Sequence, residues 1–411
     1  MIYGSFNQLL TLASMPLRGA LHDSQLEIIQ DAGLLIRDGI IIETGTFKEL
    51  RSCYPQEEVH RIEGDFVAFP GLIDAHTHSC WAGSRAGDYA LRSAGKSYLA
   101  IAEAGGGILD TVRKTRAASR EELVQLTVKR ANDLLAKGVT TIEVKSGYGL
   151  SVAEEIKILE AIREANTLTA ADLVPTCLAA HVVPPEWKKN DAQLYLNHIT
   201  EELLPEVKSR SLSNRVDIFV EEGAFSINQA LPFLRKAGKM GFDLIIHGDQ
   251  FSGNVAELAN LVKALSIDHL EAADTTEVIT LANGNTIPIV LPGASIGLGE
   301  PYAPARQLLD AGTSLVIASD WNPGSAPMGN LLTQAALLGV AQRLSMAEIW
   351  AAITYRAAAA LKLTDRGCLQ SGMIADIIAF QTNDYREVLY RQGELRPQLI
   401  IKNGKLLQPI N

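Results

Sequence analysis

Hydrophobic and polar positions change style twice along this chain. Up to about residue 68, short apolar runs flank turn signals, as in LLIRDGIIIETG around Asp38-Gly39, which predicts strands joined by tight turns. MIADIIAF and PQLIIKNGKLLQ near the other end repeat that style around Asn403-Gly404. Between them, short β-branched runs alternate with amphipathic stretches, the pattern of βα units about a parallel sheet. Eight such runs can be placed: FPGLIDAHTH, GVTTIEVKSG, LVPTCLAAH, RVDIFVEEG, FDLIIHGD, SIDHLE, TIPIVLPG and SLVIASD. Connectors such as REELVQLTVKRANDLLAKG and NQALPFLRKAGKMG have helical spacing and end at Gly or Asn. Eight units predict an α/β fold: a (β/α)8 TIM-type barrel over 69–362, with a small β-sandwich domain built from 1–68 and 363–411. A doubly wound open sheet is the main competitor. About sixty residues separate the first two runs, including DYALRSAGKSYLAIAEAGGGI, too long for a plain connection and a candidate lid or pocket wall.

Composition narrows the class. The 411 residues are 47% hydrophobic and 20% charged, in the ordinary globular range. Lys and Arg total 37 against 47 for Asp and Glu, and the net charge of −10 argues against a nucleic-acid partner. Four scattered cysteines without a CxxC pair indicate neither a disulfide framework nor a thiolate zinc site, which fits a reducing cytoplasm. No run reaches the ~18 apolar residues of a membrane helix, so the expectation is a soluble protein with a small-molecule substrate. Its apolar outer helices are compatible with a homodimer.

The eight histidines carry the chemistry. His76 and His78 close the first run as an HTH triplet, and in a strand positions i and i+2 face the same way. His247 and Asp320 close two further runs, and strand carboxyl ends are where a barrel builds its active site. Three imidazoles and one carboxylate suit a single zinc or iron ion with a position left open for water. His269, ending SIDHLE, is the natural acid/base or electrophilic partner. His181 ends the third run, whereas His22, His60 and His198 sit in polar segments and read as surface residues. Lys145 invites comparison with the carbamylated lysine of two-metal hydrolases but stands on the wrong strand. Asn322, Gly324 and Ser325 follow Asp320 directly, with donors in reach of the open metal position. The glycine-rich stretches EAGGGI, SGYGL and LPGASIGLG match no phosphate-binding motif and read as turns.

PGLIDAHTH after a β-rich start, a later HxD, then DHLE and a closing SD resemble the amidohydrolase superfamily. GSR at 83–85, EVKSGYGL, AHVVPPEW, HGDQF, LPGA and SDWNPGS, in that order, narrow the resemblance to the branch that opens imidazolone rings. It covers nearly the whole chain. The resemblance implies His76, His78, His247 and Asp320 as ligands of one zinc or iron ion. It also implies Arg85, Tyr148 and His181 as substrate contacts, and Asn322, Gly324 and Ser325 as contacts to the product. The implied reaction is hydrolysis of 4-imidazolone-5-propanoate to N-formimino-L-glutamate in histidine degradation. Arg85 supplies a planar fork for the propionate, Asp320 takes the water's proton, and His269 polarises the carbonyl. Relatives often carry Glu three residues after the third histidine, where this chain has Gln250. An amide is no general base, so Gln250 is expected to orient substrate by hydrogen bonds. The alternatives are hydrolysis of another cyclic amide and deamination of a heterocycle.

Overall fold

A computed structural model describes residues 1–96, 104–187 and 191–407. Five strands come first: β1 (Ile2–Leu10), β2 (Ile28–Arg37), β3 (Ile40–Thr46), β4 (Val59–Arg61) and β5 (Phe66–Pro70). The next eight are β6 (Leu72–Asp74), β7 (Val139–Lys145), β8 (Asp172–Ala180), β9 (Arg215–Val220), β10 (Asp243–Gly248), β11 (Ser266–His269), β12 (Ile287–Val290) and β13 (Val316–Ile317). They correspond one for one to the runs read from sequence. The chain closes with β14 (Ile377–Gln381), β15 (Pro397–Lys402) and β16 (Lys405–Leu406).

Strands β6 to β13 lie side by side in sequence order, each parallel to its neighbour. The two edges meet just beyond the strand ends. Thr77 bridges to Trp321, His78 N–H donates to Trp321 O at 3.0 Å, and Asp320 N–H to His76 O at 3.0 Å. That meeting makes a barrel and sets aside the open sheet, whose strand order would reverse in the middle. It also seats His76, His78 and Asp320 on the seam. Helices fill the connections, and serines cap two of them: Ser119 accepts from Glu122 N–H and Ser151 from Glu154 N–H. Three helices absent from the sequence reading follow β13: Leu331–Ala341, Met346–Ala352 and Tyr355–Ala360. LLTQAALLGVA is apolar almost all round because the helix is largely buried, so it shows no amphipathic stripe.

The two chain ends share one sheet, ordered β16-β15-β14-β5-β1-β2-β3 with β4 beside β1. Its apolar side packs around Phe6, Leu34, Phe66, Ala68, Ile377 and Ile401. Asp38-Gly39 and Asn403-Gly404 form the expected tight turns, with φ of 49° and 79° at the first and 51° and 75° at the second. Two consecutive positive φ values are the two-residue hairpin geometry that favours Asx-Gly. Strand β5 runs through Gly71 straight into β6, so the terminal sheet fixes the approach of the histidine-bearing strand. The candidate lid falls partly outside the described residues, at 97–103; its flanking helices, Ala86–Ser93 and Ile108–Ala117, stand at the barrel mouth. Among the described residues no helix is long and apolar enough to cross a membrane.

Candidate active site

A cavity of about 640 Å³ opens at the carboxyl ends of the barrel strands. His78, His247, His269 and Asp320 line its floor, with Arg85, Tyr148, His181, Gln250, Asn322, Gly324 and Ser325 around them. His76 lies beneath, fully buried. Every residue given a metal, catalytic or substrate role from sequence therefore belongs to one locality.

Four donor atoms converge on the floor. Nε2 of His78 lies 3.3 Å from Nε2 of His76 and 3.4 Å from Nε2 of His247. Asp320 Oδ1 lies 3.5 Å from His76 Nε2 and 3.4 Å from His78 Nε2. The three histidine nitrogens lie close enough to one another to share one ion, and the Asp320 oxygen stands beside two of them, so the spacing fits. The donor chemistry fits as well. His76 Nδ1 faces Asp268 Oδ2 at 2.7 Å, which places the ring proton there and leaves Nε2 as a bare lone pair. His247 Nδ1 lies 2.9 Å from Asp217 Oδ2, somewhat off the ideal hydrogen-bond line. Burial, followed by the charge of Lys145, holds His76 well below the ordinary imidazole range; burial and His181 do the same for His78. Neutral imidazoles with inward lone pairs repel one another unless a cation lies between them. The chain thus offers a buried site for one metal ion.

Strand-end backbone is bent to make this convergence. Asp249, His269, Leu270 and Asp320 have φ of 57°, 91°, 71° and 52°, a left-handed region non-glycine residues rarely occupy. At His269 the bend puts Nδ1 3.2 Å from Glu271 Oε2, leaving Nε2 as the remaining ring nitrogen. Burial opposes charge on His269, but Glu271, then Asp320 and Asp268, outweigh it and raise its pKa. Burial raises Asp320 too, making its carboxylate more basic than usual.

Arg85 enters from the wall. Its Nε donates to Asp88 Oδ2 at 2.8 Å, and its Nη edge lies over Gly324, where an added Cβ would sit 2.2 Å from Nη1. Arg92, missed in the sequence, donates to Gly297 O at 3.1 Å and Gly324 O at 3.0 Å and so holds that turn. The turn differs from the expected set of free donors. Asn322 Oδ1 accepts the N–H of Gly324 at 2.7 Å and of Ser325 at 2.8 Å, and Asn322 Nδ2 donates to Asp320 Oδ2 at 2.9 Å. A tight Asn-Pro-Gly-Ser turn satisfies its own amides, and its first effect is to orient Asp320. Across the cavity His181 Nδ1 lies 3.1 Å from Gly147 O, and burial holds its pKa near 3, leaving Nε2 an acceptor. Tyr148 is buried beside it.

Sequence reasoning also missed the carboxylates behind the histidines: Glu143, Asp217 and Asp268, all buried and none lining the cavity. Their signal was there, since charges inside otherwise apolar strands must find partners.

Comparison with known proteins places this geometry. A family profile described as "Amidohydrolase family" matches residues 86–406. The chain is 38% identical over 407 residues to an imidazolonepropionase of Bacillus velezensis, covering 98% of this chain and 96% of that one. It is 40% identical over 394 residues to an imidazolonepropionase of Deinococcus radiodurans, covering 95% and 96%. Among solved structures, guanine deaminase from C. acetobutylicum superposes with a TM-score of 0.72 at 15% identity, covering 99% of both chains. Atrazine chlorohydrolase from Arthrobacter aurescens, complexed with zinc, superposes at 0.68 and 16% identity, covering 99% and 94%. At that identity the likeness is one of fold.

Proposed function

The chain belongs to the amidohydrolase family and groups with its imidazolonepropionases, and from that premise we propose how its cavity hydrolyses 4-imidazolone-5-propanoate to N-formimino-L-glutamate. The observation that carries the reading is the pairing of a four-donor floor with a guanidinium edge on the wall of the same cavity.

His76, His78, His247 and Asp320 would hold one ion per chain, zinc or iron(II), both suited to imidazole and carboxylate. When bound, such an ion acts as a Lewis acid and brings the pKa of water towards neutrality. Arg85 takes the propionate on its two Nη groups, its Nε being held by Asp88. His181 presents Nε2, and Tyr148 its hydroxyl, to the ring's polar edge. Asp320, made more basic by burial and held by Asn322, accepts the proton of the attacking water. Water oxygen bonds to the ring carbonyl carbon, the bond from that carbon to the ring nitrogen breaks, and the nitrogen takes up a proton. His269, whose pKa Glu271 raises against the effect of burial, donates from Nε2 to the carbonyl oxygen as negative charge develops and can return a proton to the departing nitrogen. Gln250, on the cavity wall, orients the substrate by hydrogen bonding.

Purified protein given 4-imidazolone-5-propanoate should consume it and accumulate N-formimino-L-glutamate. Ammonia release from a heterocycle, with the imidazolone left intact, would overturn the reading.

A further inference from the structure

Below the metal-binding floor, a lysine is buried among acids. Lys145 Nζ lies 2.9 Å from Glu143 Oε1, 2.9 Å from Asp217 Oδ2 and 3.5 Å from Asp268 Oδ2, with all four side chains shut off from solvent. The two aspartate oxygens it reaches are the ones that face the metal histidines. Asp217 Oδ2 is 2.9 Å from His247 Nδ1, and Asp268 Oδ2 is 2.7 Å from His76 Nδ1. The third acid reaches the same centre through backbone: Glu143 Oε2 accepts the N–H of Thr77, which lies between His76 and His78, at 3.2 Å. One ammonium therefore gathers acids from β7, β9 and β11 behind the imidazoles that β10 and the end of β6 present.

Burial works against the charge on Lys145, but Asp217, Glu143 and Asp268 outweigh it, so the amine stays protonated. A carbamate there would set a further anion among three carboxylates, and the lysine is no bridging ligand. We propose that Lys145 is a positioning residue for the metal centre, its ammonium fixing Asp217 and Asp268 so that His247 and His76 keep Nδ1 towards carboxylate and Nε2 towards the ion. The inference rests on the metal reading above. It differs from a purely structural role, in which the lysine only neutralises buried acids and the ion is held equally well without it.

The test is zinc affinity by chelator competition, and zinc release to a chromophoric chelator, for wild type, Lys145→Met, Glu143→Gln and the double variant. Thermal unfolding of each metal-free protein monitors the fold. Lys145→Met should bind zinc about 10- to 100-fold more weakly, the range seen when outer-shell partners of ligating histidines are lost. Glu143→Gln, which touches neither histidine ring, should shift affinity the same way by less and add nothing in the Lys145→Met background. Zinc affinity unchanged in Lys145→Met, with only the thermal midpoint lowered, overturns the proposal; if that variant does not fold, unchanged affinity in Glu143→Gln does so. A wild type that binds zinc no better than His247→Ala would instead sink the metal reading itself.

Discussion

Arg85 can lie across the cavity wall because residue 324 has no side chain: a Cβ there would stand 2.2 Å from its guanidinium. Gly324→Ala should therefore reproduce the defect of Arg85→Lys, which keeps the charge but loses the planar fork. For either, losing a charge-assisted hydrogen bond worth roughly 1.5–3 kcal/mol should raise KM about ten- to a hundredfold and leave kcat far less affected. Steady-state kinetics on both variants checks this. Gln250→Ala should cost only on the order of 1 kcal/mol, seen in KM, with turnover mostly intact. A turnover loss as deep as that of Asp320→Asn would show that Gln250 acts in the chemistry. At this scale the sequence was legible wherever a polar residue closed an apolar run, as at His78, His247 and Asp320. Glu143, Asp217 and Asp268 escaped notice because their meaning lies in one another: only folding brings β7, β9 and β11 around one ammonium. Arg92 was equally silent, since the two carbonyls it holds are more than 200 positions away.

The segment after β10 shows how an element carries function without touching substrate throughout. Residues 249–255 bear Gln250, and acids brace them from behind. Glu221 accepts from Phe251 N–H at 2.9 Å, Glu277 from Val255 N–H at 3.1 Å, and Asp249 from Val255 N–H at 3.1 Å. Burial, then the neighbouring Glu277, pushes the Asp249 carboxyl up to about 9. Between the ordinary 3.8 and that value the folded chain holds a proton the unfolded chain has released. The stabilisation is complete below the lower value and is lost as pH rises towards the upper one. Asp249→Asn keeps an acceptor for Val255 and removes the titration. Its thermal midpoint should fall less than that of wild type between about pH 6 and 9; a steeper fall would contradict a proton held on Asp249. Strand positions were readable from sequence because fully buried β-branched runs bounded by Gly and polar residues leave few other readings. The left-handed turns at Asp249, His269 and Asp320 were not, because residue type alone does not reveal backbone bent by convergence on one point.

At the scale of the whole molecule, the terminal sheet and the barrel are joined through charge as well as through chain. Lys402 Nζ on β15 lies 2.7 Å from Asp172 Oδ2 at the start of β8 and 2.9 Å from Asp376 Oδ2, and Arg366 also pairs with Asp172. This joint lies at the amino ends of the barrel strands, opposite the cavity, where it bears on stability and not on chemistry. Asp172→Ala, which leaves Lys402 with Asp376 and Arg366 with Asp365, should lower unfolding free energy by roughly 1 kcal/mol and leave KM unchanged. A raised KM would mean the joint shapes the cavity. The net charge of −10 shows how far composition reaches: it gives no sign of the local reversal at the cavity wall, which presents Arg85 and Arg92 to an anionic substrate. If turnover belongs to one ion held by His76, His78, His247 and Asp320, it must return with metal when chelated protein is titrated and loss of 4-imidazolone-5-propanoate is followed. The predicted result is activity that climbs in proportion to added zinc or iron(II), levels off at one ion per chain, and is absent from His247→Ala. Turnover at the undiminished rate in metal-free protein would contradict it.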